Sequence, residues 1–169
     1  MANPVQPPPA PMANPVQPPP APMANPVQYK WLPGPVGEML RSASLATTAT
    51  IPLGSTSLVV TTGHVGVNIN TGALVHSSLE AEFHAVLDCL DAALLHAGVE
   101  RGLAAAHKIT AYFTARECED VMLGVFRQRF PGHTPTWASV VVVQLVNPGM
   151  HAELQAEAIA SCGTQGNGN

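Results

Sequence analysis

The stretch from Ser77 to Gly98 constrains this chain more than any other. Ser77-Ser78-Leu79-Glu80 has the form of a capping box, with Ser77 accepting from the Glu80 amide while Glu80 reaches back. Leu79, Phe83, Val86, Leu87, Leu90, Leu94 and Ala97 then recur at helical spacing, and Gly98 supplies a left-handed stop. A helix with one apolar stripe has to bury it. Its sequence neighbours are β-branched runs, so the surface on offer is a sheet.

That requirement organises the flanking segments. Residues 45–51 (LATTATI) and 57–62 (SLVVTT) predict a hairpin, and a short third strand is expected within 65–75 around the Asn70-Thr71-Gly72 turn. Beyond the helix, 107–114 (HKITAYFT) predicts a strand. A second capping box, Thr114 to Glu117, opens a helix with Val121, Met122, Val125 and Phe126 on one face and Pro131 at its end. Residues 138–145 (ASVVVVQL) read as a buried strand, and 153–160 (ELQAEAIA) as a last one. There Glu153, Gln155 and Glu157 share one face while Leu154, Ala156 and Ala158 share the other. The order β-β-(β)-α-β-α-β-β predicts an α+β fold: a mixed sheet with two helices packed on one face and the other face uncovered.

The beginning of the chain cannot take part in such a core. MANPVQPPPAP stands at 1–11 and again at 12–22, and MANPVQ follows at 23–28. Repeated prolines remove donors and clash with a helical turn, so residues 1–33 are expected to form an extended, disordered arm. A proline-binding module is the partner such an arm could serve. The folded domain is expected over 34–162, with a flexible tail over 163–169.

Charge narrows the function. Only 11% of residues are charged, against 46% hydrophobic, which leaves much surface to be covered by subunit contacts. A net charge of −4 with seven Lys and Arg argues against a nucleic-acid binder, which needs clustered cations. Cys89, Cys118 and Cys162 are widely spaced with no CxxC, as expected of a reducing, cytoplasmic setting. No secretory leader is visible, and no apolar run is long enough for a membrane span. The histidines form neither HxH nor HExxH, so no metal is expected, nor any cofactor.

In this order, the segments VVTTGHVGVNINTGALV (59–75), EAEFHAVLDCLDAALLHAGV (80–99), HKITAYFTARECEDVMLGVFRQRFP (107–131), TPTWASVVVVQLVNPG (134–149) and AELQAEAIA (152–160) resemble the Rid family. This is the reactive intermediate deaminase, YjgF-like or L-PSP endoribonuclease family. The resemblance implies a chorismate-mutase-like fold assembled as a homotrimer, with small-molecule clefts between subunits. Deaminases of the family clamp a substrate carboxylate with an arginine and position water with an acidic residue. A guanidinium fork matches a carboxylate, and a carboxylate can deprotonate water.

Neither group stands here. The family's arginine position is Trp137, after Pro135-Thr136, and its acidic position is Gln155. Other cleft positions of the family fall on Thr47, on Leu123 and on His64 in Thr62-Gly63-His64, while Ser139 takes a place where the family carries Ser, Thr or Cys. Glu153 shares the face of Gln155.

Three readings follow. The first is an enzyme with a remodelled, apolar cleft acting by acid/base chemistry on a carbonyl, enol or enamine biosynthetic intermediate. In it His64 moves the proton, Gln155 and Ser139 hold oxygens, and Trp137 with Leu123 forms an apolar wall. The second is a conventional enamine or imine deaminase that recruits Arg41. The third is a non-catalytic ligand-binding or assembly protein.

Overall fold

The computed structural model describes residues 27–161. Most of the repeated arm (1–26), the tail and Cys162 lie outside the described residues. The elements run β1 (Gln28–Lys30), α1 (Pro35–Ser42), β2 (Thr48–Leu53), β3 (Thr56–Thr61), α2 (Leu79–Ala97), a 3-10 turn (Gly102–Ala105), β4 (Ala106–Phe113), α3 (Glu117–Arg129), β5 (Thr136–Val141) and β6 (Ala152–Ser161). Six strands form one mixed sheet in the order β1-β2-β3-β6-β4-β5. All neighbouring pairs are antiparallel except β4 with β5. The α+β architecture expected from the sequence is present.

The main core lies between the sheet and α2 with α3. Phe83, Val86, Leu87, Leu90 and Leu94 of α2 meet Val59, Ile109, Ala111, Phe113, Leu154 and Ala156 of the strands. Phe83 stands edge-on to Phe113, with ring centroids 6.4 Å apart, an arrangement favoured by the ring quadrupoles. Glu153, Gln155 and Glu157 occupy the opposite, open face of β6 at intermediate burial, as the alternation predicts.

Several local expectations are corrected. The N-cap of α2 is Ser78, whose hydroxyl accepts from the Ala81 amide at 3.1 Å, one residue later than the capping box places it. No side chain caps α3, which starts at Glu117 after Arg116. Glu117, Glu119 and Asp120 instead set negative charge in its first turn, where the helix dipole favours it. The third strand within 65–75 reduces to a single bridge, Val67 to Leu74. The Asn68 side chain accepts from the Asn70 and Thr71 amides there and folds the segment into a tight loop.

The N-terminal boundary also moves. Residues 28–32, assigned by composition to the arm, belong to the fold: β1 pairs with β2, and Leu32 is buried. A third helix, α1, is missing from the sequence reading. Pro35 at its start and the buried Val36 and Leu40 are the signals that could have found it. It packs a second core with Val65, Val67, Cys89, Ala93 and Met150. Gly37 is obligatory there, because a Cβ would lie 1.7 Å from the Leu32 carbonyl oxygen.

The valine run gives the largest correction. β5 is an edge strand, and Val140 and Val141 are 46% and 58% exposed. Val142 and Val143 lie beyond the strand's end. An apolar run records a preference for burial, and this protomer offers only one flanking strand.

Candidate functional site

The register separates the predicted site residues into two groups. On β5, Trp137 pairs with Ile109 and Ser139 with Ala111, both β4 residues of the buried, helix-covered face. Trp137 accordingly packs edge-on against Phe126 of α3, with centroids 5.3 Å apart. Its indole nitrogen donates to the Ser139 hydroxyl at 2.9 Å, and that hydroxyl in turn donates to Glu119 of α3. Leu123 is half-buried on α3. Gln155 and Glu153 pair with Thr110 and Tyr112 and so stand on the open face. Within one protomer, therefore, the expected apolar wall of Trp137 and Leu123 does not line the surface that carries Gln155.

Thr47 is corrected as well. It is buried, its hydroxyl accepts from the Leu32 amide at 3.0 Å, and its backbone bonds to Lys30 and Thr62. These bonds fasten the start of the chain to the sheet and leave no exposed hydroxyl for a ligand. Arg41 lies 4.7 Å from the Trp31 ring, a cation–π contact at the end of α1, and does not line the cavity described next.

A cavity of about 230 Å³ opens between α1, the segment after β3 and the start of β6. Val36, Met39, Leu40 and Leu45 form an apolar wall, and Thr62, Asn147 and Glu153 bring polar groups to it. Glu153 is half-exposed, and burial pushes its carboxyl above the usual carboxylate range. Its carboxylate lies over Gly63, where an added Cβ would stand 2.1 Å from Oε1, so only glycine leaves the acid room to lie in this place. Glu153 also borders a shallower hollow with Tyr112, Val142 and Gln144.

His64 lines the same cavity. Its backbone exchanges two hydrogen bonds with Leu154, at 2.8 and 3.0 Å, and this bridge turns the side chain toward the buried face that Leu154 occupies. The residue is 3% exposed, its Nε2 has no hydrogen-bond partner, and burial lowers its pKa from 6.5 to about 4. The imidazole is neutral at pH 7, which corrects the expectation of a titrating acid or base here. Gln155 stays two residues along from Glu153, its amide nitrogen donating to the Thr61 carbonyl at 2.8 Å.

A second acidic group, unremarked in the sequence, anchors this region from behind. Glu82 of α2 is 1% exposed, and its Oε1 accepts from the His151 and Ala152 amides at 2.7 and 3.1 Å. Its Oε2 lies 2.8 Å from His151 Nδ1. These contacts hold the entry to β6, and with it Glu153, against α2. The thiols are inert by comparison: burial pushes Cys89 up to about 11 and raises Cys118. Among the described residues no group of three or more His, Cys, Asp or Glu is placed to hold a metal, and no helix is long and apolar enough to cross a membrane.

Comparison with known proteins agrees with this architecture. Residues 48–160 match the family model described as Endoribonuclease L-PSP. A YjgF/YER057c/UK114 family member from Mycobacterium tuberculosis is 21% identical with a TM-score of 0.60, over 78% of this chain and 98% of its own. Yeast Mmf1 gives 17% and 0.62 over 81% and 98%. E. coli TdcF, solved with bound serine, gives 22% and 0.59 over 79% and 94%. The curated proteins give no match. With the family model covering most of the described sheet and both sheet-packed helices, the chain belongs to the Rid, or endoribonuclease L-PSP, family.

Proposed function

We propose that this protein is a small-molecule enzyme that moves protons with Glu153 on a carbonyl, enol or enamine intermediate lacking a carboxylate. The observation that carries the reading is Glu153 itself: a carboxyl raised by burial, seated on a glycine, at the edge of an apolar-walled cavity. A carboxyl that keeps its proton closer to neutrality can protonate an enamine carbon. It then takes a proton back from the water that adds to the resulting iminium, after which the amine leaves. The same acid can instead carry a keto–enol exchange. Thr62 and Asn147 supply hydrogen bonds to substrate oxygens, and His64 serves as a neutral, buried wall. This chemistry calls for no metal or cofactor.

The exposed valines of β5 and the low charge content support assembly of copies through the open face, in keeping with the homotrimer that the resemblance implies. Where related deaminases carry the arginine that clamps a carboxylate, this chain carries Trp137, which has no such fork, so a substrate without a carboxylate suits it better.

The test is turnover of freshly generated enamines with and without a carboxylate. Uncharged enamines are expected to be consumed faster than 2-aminoacrylate, and Glu153→Gln to slow that turnover about a hundredfold. Gly63→Ala, whose methyl displaces the Glu153 carboxylate, is expected to lose a similar share of activity with a near-unchanged urea midpoint. Equal turnover by wild type and Glu153→Gln overturns the assignment. Ligand retention with no turnover of any enamine or enol leaves a binding protein instead.

A further inference from the structure

We propose that the hollow between the 3-10 turn and the loop after α3 binds a small phosphate-bearing molecule. Its volume is about 430 Å³, and Arg101, Arg129, Phe130, Pro131, Gly132 and His133 line it. It shares no lining residue with the Glu153 cavity. Two of the chain's seven Lys and Arg therefore stand at one hollow, with no carboxylate among its lining residues.

Each basic group is placed differently. The Arg129 Nη1 donates to Asp88 at 2.7 Å and to the His84 carbonyl at 3.0 Å, and its guanidinium lies 5.6 Å from the Phe130 ring. Both bonds use the same nitrogen, so the fork is held in position while its other donors are not engaged by them. Asp88 offsets part of this charge. Arg101 is exposed and has no ion-pair partner among the described residues, so its charge is uncompensated.

The third group is His133. Its Nε2 is closed off from solvent and has no hydrogen-bond partner, while its ring packs 5.8 Å from Phe126 and its amide donates to the Phe130 carbonyl. That nitrogen is sealed beneath the surface, so the ring supplies packing at the rim and not a hydrogen bond to a ligand. Gly132, at a φ of 77°, turns the backbone at the rim in a conformation other residues rarely adopt. Two guanidinium forks suit the several oxygens of a phosphate better than the two of a carboxylate. Phe130 and Pro131 add an apolar surface for the organic body.

The experiment titrates the full chain with inorganic phosphate, phenyl phosphate and benzoate by calorimetry at constant ionic strength. Saturable binding of phosphate, tighter for phenyl phosphate and weaker for benzoate, is expected. Arg101→Gln and Arg129→Gln should each weaken it about tenfold or more. Arg127→Gln, an exposed cation of the same helix outside the hollow, should leave it unchanged. Circular dichroism melts verify that each variant is folded. No saturable phosphate binding, equal affinity in wild type and Arg101→Gln, an equal loss in Arg127→Gln, or tighter binding of benzoate than of phenyl phosphate overturns the proposal.

Discussion

Acidification from pH 7 to pH 4 is expected to remove about 3 kcal/mol of folding stability through His64 alone. In the unfolded chain this imidazole protonates near 6.5, whereas in the fold burial holds it neutral down to about 4. Between those values the unfolded state binds more protons, so stability is fully present above 6.5 and is lost as pH falls through about 4. Among the described residues the ring's Nε2 has no partner that would compensate its protonation. Glu153 acts with the opposite sign. Its raised carboxyl contributes stability below the ordinary carboxylate range, and that contribution is lost as pH rises through the shifted value. Glu153 is half-exposed, so solvent screening keeps its share smaller. Urea midpoints measured at unit steps from pH 7 to pH 4 check this. The wild-type midpoint should fall steeply over that window and that of His64→Gln more gently. Parallel slopes would remove the imidazole from the account.

Glu82→Ala is expected to cost about 4 kcal/mol. The substitution removes one carboxylate and leaves the His151 and Ala152 amides without their acceptor, the latter inside the core. It also frees the His151 ring. Domains of this size are stable by only about 5–15 kcal/mol, so the variant should be expressed poorly or unfold at low denaturant. Glu82→Gln separates the parts of this effect. Its Oε1 can still accept both amides, but an NH2 now faces His151 Nδ1, and about 1.5 kcal/mol is expected. Equilibrium urea unfolding of the three proteins gives both differences. Gly66 belongs to the same arrangement, since a Cβ there would come within 2.6 Å of the Glu82 side chain.

The fold was legible because its two long helices and its last strand are amphipathic on their own terms. α2 could be read residue by residue, as could the alternation in β6, since each buries one face against the sheet it helps define. The failures share a physical cause. The valines of β5 express burial without saying which molecule provides it, and a single protomer leaves them at an edge. α1 is eight residues long, and its two buried apolar side chains acquire meaning only against a core gathered from distant segments, Cys89 and Ala93 of α2 among them. Ser78 caps α2 by accepting from the Ala81 amide, although the glutamate of a capping box stands three residues after Ser77 and not after Ser78.

The site was less legible than the fold. Glu153 was singled out by the face it shares with Gln155, but its raised carboxyl depends on the wall that α1 contributes, and α1 was not foreseen. His64 lines the cavity, but its bridge to Leu154 and the burial that lowers its pKa could not be read from the sequence. Trp137 and Gln155 carry the departure from the deaminase pattern in sequence, yet they stand on opposite faces of one sheet.

The position of β6 governs how this protein can be made. It lies between β3 and β4, yet it is the last of the six strands to be synthesised. Until it emerges from the ribosome, the β1-β2-β3 and β4-β5 halves have no shared strand and expose apolar edges to each other and to other chains. Premature termination anywhere before Ala152 should therefore yield aggregating fragments, not a trimmed fold, and holdase chaperones should associate with nascent chains until β6 is translated.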